Sequence, residues 1–221
     1  LQKAVDAGTL ERPYEPANYY IAALDPAFRR DAFGFAIGHV DEEKGVVIDL
    51  VRRFVPDPGT ELNPRQLFDE ITPVLKRYEV VSIYTDQFQF ESLNQLANDR
   101  GFALSAVRFT ATKKASIYGD LKMLLHQGRL RLLDEPETLN ELMSLERVIT
   151  PGRGVQVSAP TGQHDDMATV VALIAHHCVW LLPTVGNKVE IVNSPPTFQE
   201  LCQATIDRKY ADQRRLERGG T

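Results

Sequence analysis

Residues 162–175 read GQHDDMATVVALIA, two adjacent carboxylates followed by a strongly apolar run that predicts a buried helix. Side chains three and four positions apart share one face of a helix, so Asp166 lies on the stripe of Val170 and Leu173. Asp165 is rotated off that stripe and flanks it. A single Asp here is more typical of an ordinary helix N-terminus, where a carboxylate caps free amides and interacts favourably with the helix dipole. The pair therefore indicates chemistry only if other carboxylates converge on it.

Two further carboxylates end strand-like runs. Residues 19–24 are β-like and stop at Asp25-Pro26, because proline cannot continue a central ladder. Residues 80–85 form a second such run, which ends on Asp86. If these two strands are neighbours in one sheet, both aspartates lie at the edge where α/β folds usually place their sites. A helix packed on that sheet can bring Asp166 to meet them.

The remaining pattern predicts an α/β fold with a mixed sheet. Residues 33–40 and 46–54 are strand-like and are joined by the polar turn 41–45, so the chain opens with an antiparallel meander. With the meander as its first three strands, the first half of the chain has the order β-β-β-α-β-α-β. A helix, a short strand, a helix and a Gly-rich hairpin come after it. The other predicted elements are helices beginning at residue 64 after an Asn63 cap and over 88–100, 112–125 and 136–146, strands over 102–109 and 130–133, and a hairpin over 147–150 and 155–158.

Composition excludes several classes of protein. The formal charge is −5, from 25 basic and 30 acidic residues, which argues against a generally basic nucleic-acid binder. The two cysteines, Cys178 and Cys202, lack zinc-ligand spacing and favour a reducing compartment. The apolar run 167–182 contains two histidines and is too short for a membrane span. Neither of the phosphate-binding glycine motifs, G-x-x-x-x-G-K-[ST] and G-x-G-x-x-G, is present.

Converging carboxylates have a specific chemical use. They repel one another and take up protons unless divalent cations neutralise them. An all-oxygen ligand set selects Mg²⁺ or Mn²⁺ over zinc. Two such ions roughly 3.5–4 Å apart form the usual clamp for in-line displacement at a phosphodiester.

The meander, the strand-end aspartates and the late Asp-Asp helix resemble the ribonuclease H-like (retroviral-integrase-like) fold. More narrowly, three motifs resemble the C-terminal nuclease domain of the large terminase subunit of tailed bacteriophages: LDPA at 24–27, YTD at 84–86 and HDDM at 164–167. The resemblance covers residues 19–183, and the HDDM helix start is its most specific part. It implies that residues 18–183 form the nuclease domain, that 1–17 link it to an absent ATPase domain, and that 184–221 form a partly helical tail.

The resemblance also implies a function. Asp25, Asp86 and Asp166 would be catalytic metal ligands for two Mg²⁺ or Mn²⁺ ions, with Asp165 an additional ligand. The choice of Asp166 over Asp165 as the principal third ligand rests on helix phase. The substrate would be double-stranded concatemeric viral DNA, cut during packaging in the cytoplasm of the infected bacterium. The partners would be the ATPase motor domain of the same polypeptide, the small terminase subunit and the capsid portal, with no membrane.

Weaker candidates surround this site. His164 is placed to orient a carboxylate or a water, although a helix-entry histidine is also a common solvated or capping residue. Lys113 and Lys114, with Arg108 upstream and Arg153 in the hairpin, are placed to hold DNA phosphates; exposed charges on a helix start and a turn explain them equally well.

Three other functions remain open at this point. A DNA-gripping module of a packaging motor with latent cleavage would bind DNA in a salt-dependent manner without cutting it. A Holliday-junction resolvase or a transposase of the same fold would be favoured by structure-specific cleavage of a four-way junction over linear duplex.

Overall fold

The structure, a computed structural model, describes residues 1–28, 32–150 and 154–182, without the side chains of 149, 150 and 154–156. Its strands are β1 (Val5–Asp6), β2 (Tyr20–Asp25), β3 (Phe33–Asp41), β4 (Gly45–Phe54), β5 (Ser82–Asp86), β6 (Leu104–Val107), β7 (Leu130–Leu133), β8 (Glu146–Thr150) and β9 (Gly154–Ser158). Its helices are α1 (Pro64–Arg77), α2 (Phe90–Asn98), α3 (Ala111–Gln127), α4 (Pro136–Ser144) and α5 (Asp166–Cys178). The predicted tail, 184–221, lies outside the described residues.

The predicted meander forms the middle of a mixed sheet. Within the described residues, seven strands pair in the order β1-β7-β4-β3-β2-β5-β6. β2, β3 and β4 are antiparallel, whereas β5 runs parallel to β2, and β7 runs parallel to β4. β8 and β9 form the predicted extra hairpin. The predicted α/β class with a mixed sheet is therefore confirmed.

Helices cover both faces of the sheet, which is why the central strands are apolar on both sides. On one face, Leu67, Phe68 and Ile71 of α1 pack with alternate residues of β2, such as Leu24. On the opposite face, α5 and α3 pack against the other half of the same strands. Residues 167–175 of α5 are all buried, so this helix is a core element, as predicted.

The first 17 residues, predicted as a linker, contribute to this sheet. Val5 and Asp6 pair in parallel with Leu132 and Leu133 at the sheet edge. Arg12 donates from its guanidinium to Asp6 Oδ2 at 2.5 Å and to the Leu132 carbonyl at 3.3 Å. A strand of two residues has no readable hydrophobic period, so the sequence gives no sign of it.

Helix boundaries differ from the predictions where a side chain intervenes. α2 begins at Phe90 rather than Phe88, because the Phe88 amide donates to Asp86 Oδ1 at 2.7 Å and Gln89 adopts a left-handed conformation with φ of 52°. α1 has the predicted cap, in which Asn63 Oδ1 accepts from the amides of Arg65 and Gln66.

Two glycines of β3 let α5 lie directly on the sheet. A Cβ at Gly34 would stand 2.8 Å from the backbone oxygen of Asp166, and one at Gly38 would stand 2.7 Å from Ile174 Cγ2. Gly34 is also the residue paired with Asp25 across the β2–β3 ladder. The first turn of α5 therefore rests where the missing side chain of Gly34 leaves room, beside the end of β2.

Candidate active site

The two strand-end aspartates lie side by side. β2 and β5 are parallel neighbours with Leu24 opposite Thr85, so Asp25 and Asp86 are the next residues at the same edge. Each is the last residue of its strand. The predicted adjacency of these two strands is confirmed, and α5 packs on β2 and β3 with its first turn at this edge.

Asp166 points into the fold, in the direction that helix phase predicts. It is 8% exposed, and its Oδ2 accepts from the Ala32 amide at 3.2 Å. His164 Nδ1 lies 4.0 Å from the same oxygen, and the His164 side chain is 45% exposed. The buried carboxylate is thus held by backbone from the loop that follows β2.

Asp165 behaves differently from its neighbour. It occupies the N-cap position of α5, yet its side chain makes no capping hydrogen bond. Its Oδ2 instead accepts from Lys114 Nζ of α3 at 3.0 Å. Tyr118, one turn further along α3, bonds through its hydroxyl to Thr169 Oγ1 at 3.0 Å and lies 5.8 Å below the Lys114 ammonium. These contacts fasten α3 to the first turns of α5.

Asp25 is a strongly perturbed carboxylate of the site. Burial raises the pKa of Asp25 well above its ordinary value, and the charges of Asp166, Asp86 and Asp165 raise it further, while Lys114 lowers it. Burial also raises the pKa of Asp86, against the lowering effects of the Phe88 amide bond and of Lys114. Like charges are therefore crowded here, with one lysine as a partial counter-charge.

A divalent cation fits this set of donors on chemical grounds. The side chains are carboxylates from three separate elements, which is the hard oxygen set that Mg²⁺ and Mn²⁺ prefer. Their mutual repulsion is what a bound cation relieves. Among the described residues, no group of three or more His, Cys, Asp or Glu side chains already has the arrangement of a metal site. The assignment of these four residues as ligands stays a prediction.

Lys113 lies against a histidine. His176 Nε2 accepts from Lys113 Nζ at 2.7 Å, which leaves His176 Nδ1–H to donate to Asp120 Oδ2 at 2.5 Å. His177, next in α5, stacks on Tyr84 with ring centroids 3.5 Å apart, and burial lowers its pKa to about 3. The predicted DNA contact of Lys113 stays a prediction, but its ammonium is engaged in this chain of bonds.

Of the two other predicted phosphate contacts, Arg108 is exposed in the loop between β6 and α3. Arg153 lies outside the described residues. Within the described part of the chain, no helix is long and apolar enough to cross a membrane.

Two residues that contact the first turn of α5 were not singled out from the sequence. Glu141 of α4 accepts through Oε2 from the amides of Met167 at 2.7 Å and Ala168 at 3.0 Å, so it caps α5. No sequence signal reveals this contact, because it joins helices 26 residues apart by packing alone. Gly34 had a usable signal, since a glycine inside a strand often marks the close approach of another backbone.

Comparison with solved structures identifies the fold. The chain matches no protein-family model and no curated protein. The large terminase nuclease from thermophilic phage G20c aligns at 16% identity with a TM-score of 0.63, over 74% of this chain and 84% of that one. The chain has the fold of a large terminase nuclease domain. The predicted ribonuclease H-like resemblance is thereby confirmed at the level of the fold.

Other terminases of this fold extend the comparison. The HK97 bacteriophage large terminase aligns at 14% identity and a TM-score of 0.64, over 76% of this chain and 41% of that one. The Thermus phage P74-26 large terminase nuclease domain aligns at 14% identity and a TM-score of 0.60, over 81% of this chain and 94% of that one. At such identities the likeness concerns the terminase nuclease fold, and residue roles need separate arguments.

The raised pKa of Asp25 leads to a stability prediction. In the metal-free protein, Asp25→Asn is expected to raise the melting temperature at neutral pH. The folded state binds more protons than the unfolded state from about the ordinary pKa of 3.8 up to the raised pKa, so the free energy of unfolding falls as the pH rises through this window. Asparagine has no carboxyl group to ionise, so Asp25→Asn removes this fall in the free energy of unfolding.

Thermal unfolding in EDTA at pH 4.5 and pH 7.5, with wild type and Asp25→Asn in parallel, measures the effect. The melting temperature of the variant should exceed that of the wild type by more at pH 7.5 than at pH 4.5. Added Ca²⁺ should stabilise the wild type more than the variant. An Asn effect of equal size at both pH values would contradict the stated environment of Asp25.

Proposed function

We propose that this chain is a divalent-metal-dependent DNA endonuclease that cuts double-stranded concatemeric viral DNA during genome packaging. The observation that carries the proposal is geometric: Asp25 and Asp86 end neighbouring parallel strands, and the first turn of α5, which carries Asp166, lies on Gly34, the cross-strand partner of Asp25. The fold supports a nuclease function, because the G20c structure that shares it is that of a large terminase nuclease.

Asp25, Asp86 and Asp166 are the proposed ligands of two Mg²⁺ or Mn²⁺ ions, and Asp165 joins them. Related structures support divalent cations as the cofactor: the G20c nuclease was solved with magnesium and with cobalt, and the SPP1 nuclease domain with manganese. Bound ions of this kind supply an activated water nucleophile and stabilise the leaving oxygen.

The protein side chains then have separate tasks. Asp25 and Asp86 hold fixed positions because each ends an interior strand of the sheet, and Asp166 is fixed by the Ala32 amide. Lys114 neutralises part of the carboxylate charge and lies where a DNA phosphate approaches the site. Arg108, exposed on the neighbouring loop, is a second proposed phosphate contact.

The proposed biological setting follows from the terminase resemblance. The partners are double-stranded DNA, an ATPase motor domain of the same polypeptide, the small terminase subunit and the capsid portal. The proposed location is the cytoplasm of the infected bacterium.

A plasmid assay tests the proposal directly. Supercoiled plasmid is incubated with the protein and Mn²⁺, Mg²⁺, Ca²⁺ or EDTA, and the products are separated on agarose. We expect nicked and linear product with Mn²⁺ or Mg²⁺ and none with EDTA. Intact plasmid in every lane, together with salt-dependent DNA binding, would instead identify a DNA-gripping module with latent cleavage. Preferential cutting of a four-way junction would identify a resolvase.

A further inference from the structure

The start of α5 is capped from another helix. The first amides of any α-helix have no partner within the helix and need an external acceptor. Asp165 stands at the N-cap position, where an aspartate ordinarily accepts from these amides. Its side chain makes no such bond, and Glu141 Oε2 of α4 accepts from the Met167 and Ala168 amides instead.

The carboxylate of Asp165 therefore has two competing partners. One is the amino end of its own helix, and the other is the site edge, where Lys114 Nζ donates to it at 3.0 Å. The Met167 and Ala168 amides already donate to Glu141 Oε2, so they are not left as donors for Asp165. While Glu141 occupies the helix amides, the site edge is the position left to Asp165.

Glu141 is itself held in a defined place. It lies in a cleft of about 320 Å³ beside the site, lined also by Arg53, Asn140 and His164. Burial raises the pKa of Glu141, the two amide bonds lower it, the charge of Asp166 raises it, and Arg53 lowers it. Its carboxylate is thus fixed by backbone donors and stands within the field of the aspartates without being one of the proposed ligands.

We propose that Glu141 is a positioning residue for the metal site: by capping α5 it keeps Asp165 off its own helix and turned toward Lys114 and the other carboxylates. This inference rests on the proposed function, since its purpose is to present Asp165 to a divalent cation. In Glu141→Ala the amides of Met167 and Ala168 lose their acceptor, and Asp165 takes over their capping. The helix keeps a cap, and the site loses a ligand.

For Glu141→Ala we expect a large loss of cation affinity and only a small loss of thermal stability, because Asp165 takes over the cap of α5. Loss of outer-shell groups that orient metal ligands lowers metal affinity by about 10–100-fold. Calorimetric titration with Mn²⁺, without DNA, should show a loss of this size for Glu141→Ala. Glu141→Gln keeps an acceptor oxygen at the same position and should restore most of the affinity.

Glu135→Ala is the matched control. Glu135 caps its own helix, α4, by accepting from the Glu137 and Thr138 amides and from Thr138 Oγ1, so its removal takes a cap from α4 and leaves the bonds of Glu141 to α5 in place. This variant should lose thermal stability and retain Mn²⁺ affinity. Equal losses of affinity in Glu135→Ala and Glu141→Ala would overturn the proposal in favour of a general structural role for α4.

A crystal structure of metal-free Glu141→Ala separates this inference from the proposed function. Asp165 should leave Lys114 and accept from the Met167 or Ala168 amide. If Asp165 stays on Lys114, the positioning role is overturned, whatever the metal titration shows. If wild type binds no Mn²⁺ while Asp165 moves as expected, the proposed metal site fails and the competition for Asp165 stands.

Discussion

Asp166→Asn is expected to reduce Mn²⁺-dependent plasmid cleavage by more than about 100-fold, because disturbing groups that only support a metal ligand already costs 10–100-fold in affinity or activity. The substitution keeps the shape of the side chain, and an amide oxygen can still accept from the Ala32 amide as Asp166 Oδ2 does. What is lost is the negative charge that a cation binds. Initial rates of plasmid nicking across a Mn²⁺ titration measure the effect, with circular dichroism to verify folding.

The same experiment ranks the other carboxylates. Asp25→Asn and Asp86→Asn should lose as much activity as Asp166→Asn, since each of these aspartates ends one of the two neighbouring parallel strands at the site. Asp165→Asn should lose less activity, because the Asp165 carboxylate already forms an ion pair with Lys114. Asp57→Asn, in an exposed loop, is the matched control and should cleave normally. A larger loss in Asp165→Asn than in Asp166→Asn would make Asp165 the principal third ligand.

The placement of the candidate site was predictable because it depends on local rules. A strand that stops at Asp25-Pro26 and another that stops at Asp86 need only be parallel neighbours to bring both side chains to one edge. Helix periodicity is equally local, and it correctly placed Asp166 inward. The strand ends and the helix phase use spacings of one to four residues, over which backbone geometry is nearly fixed, whereas the pairing of β2 with β5 comes from the fold.

The contacts that organise the site were out of reach because they join distant segments. Glu141 meets α5 only after two helices have packed, and a glutamate in the middle of α4 looks like any solvated charge. Lys113 was an ordinary helix-start lysine in the sequence, and only the fold brings it to His176. The strand Val5–Asp6 is likewise defined by its partner β7 and not by its own residues. Side-chain partners at long sequence separation are set by tertiary packing, which no periodicity encodes.

Gly34→Ala is expected to cost about 1–3 kcal/mol of stability by overpacking and to lower the cleavage rate by up to about 100-fold, the cost of an ångström-scale misplacement of reacting groups. The new Cβ would stand 2.8 Å from the Asp166 carbonyl oxygen, a distance that real Cβ contacts do not show, so the first turn of α5 must shift. That turn carries Asp165 and Asp166, and Gly34 is paired with Asp25. The displacement therefore falls between the proposed ligands.

Gly38→Ala provides the comparison that isolates position from stability. Its Cβ would stand 2.7 Å from both Ile174 Cγ2 and the Val47 carbonyl oxygen, so the clash is at least as severe, but it falls under the second half of α5. Urea unfolding should show similar or greater destabilisation for Gly38→Ala, whereas plasmid cleavage and Ca²⁺ affinity should fall much further for Gly34→Ala. If the two variants lose cleavage in proportion to their stability, the close approach at Gly34 serves packing alone. If Gly34→Ala loses cleavage out of proportion, the missing side chain at this position sets the distance between the helix and strand that carry the proposed ligands.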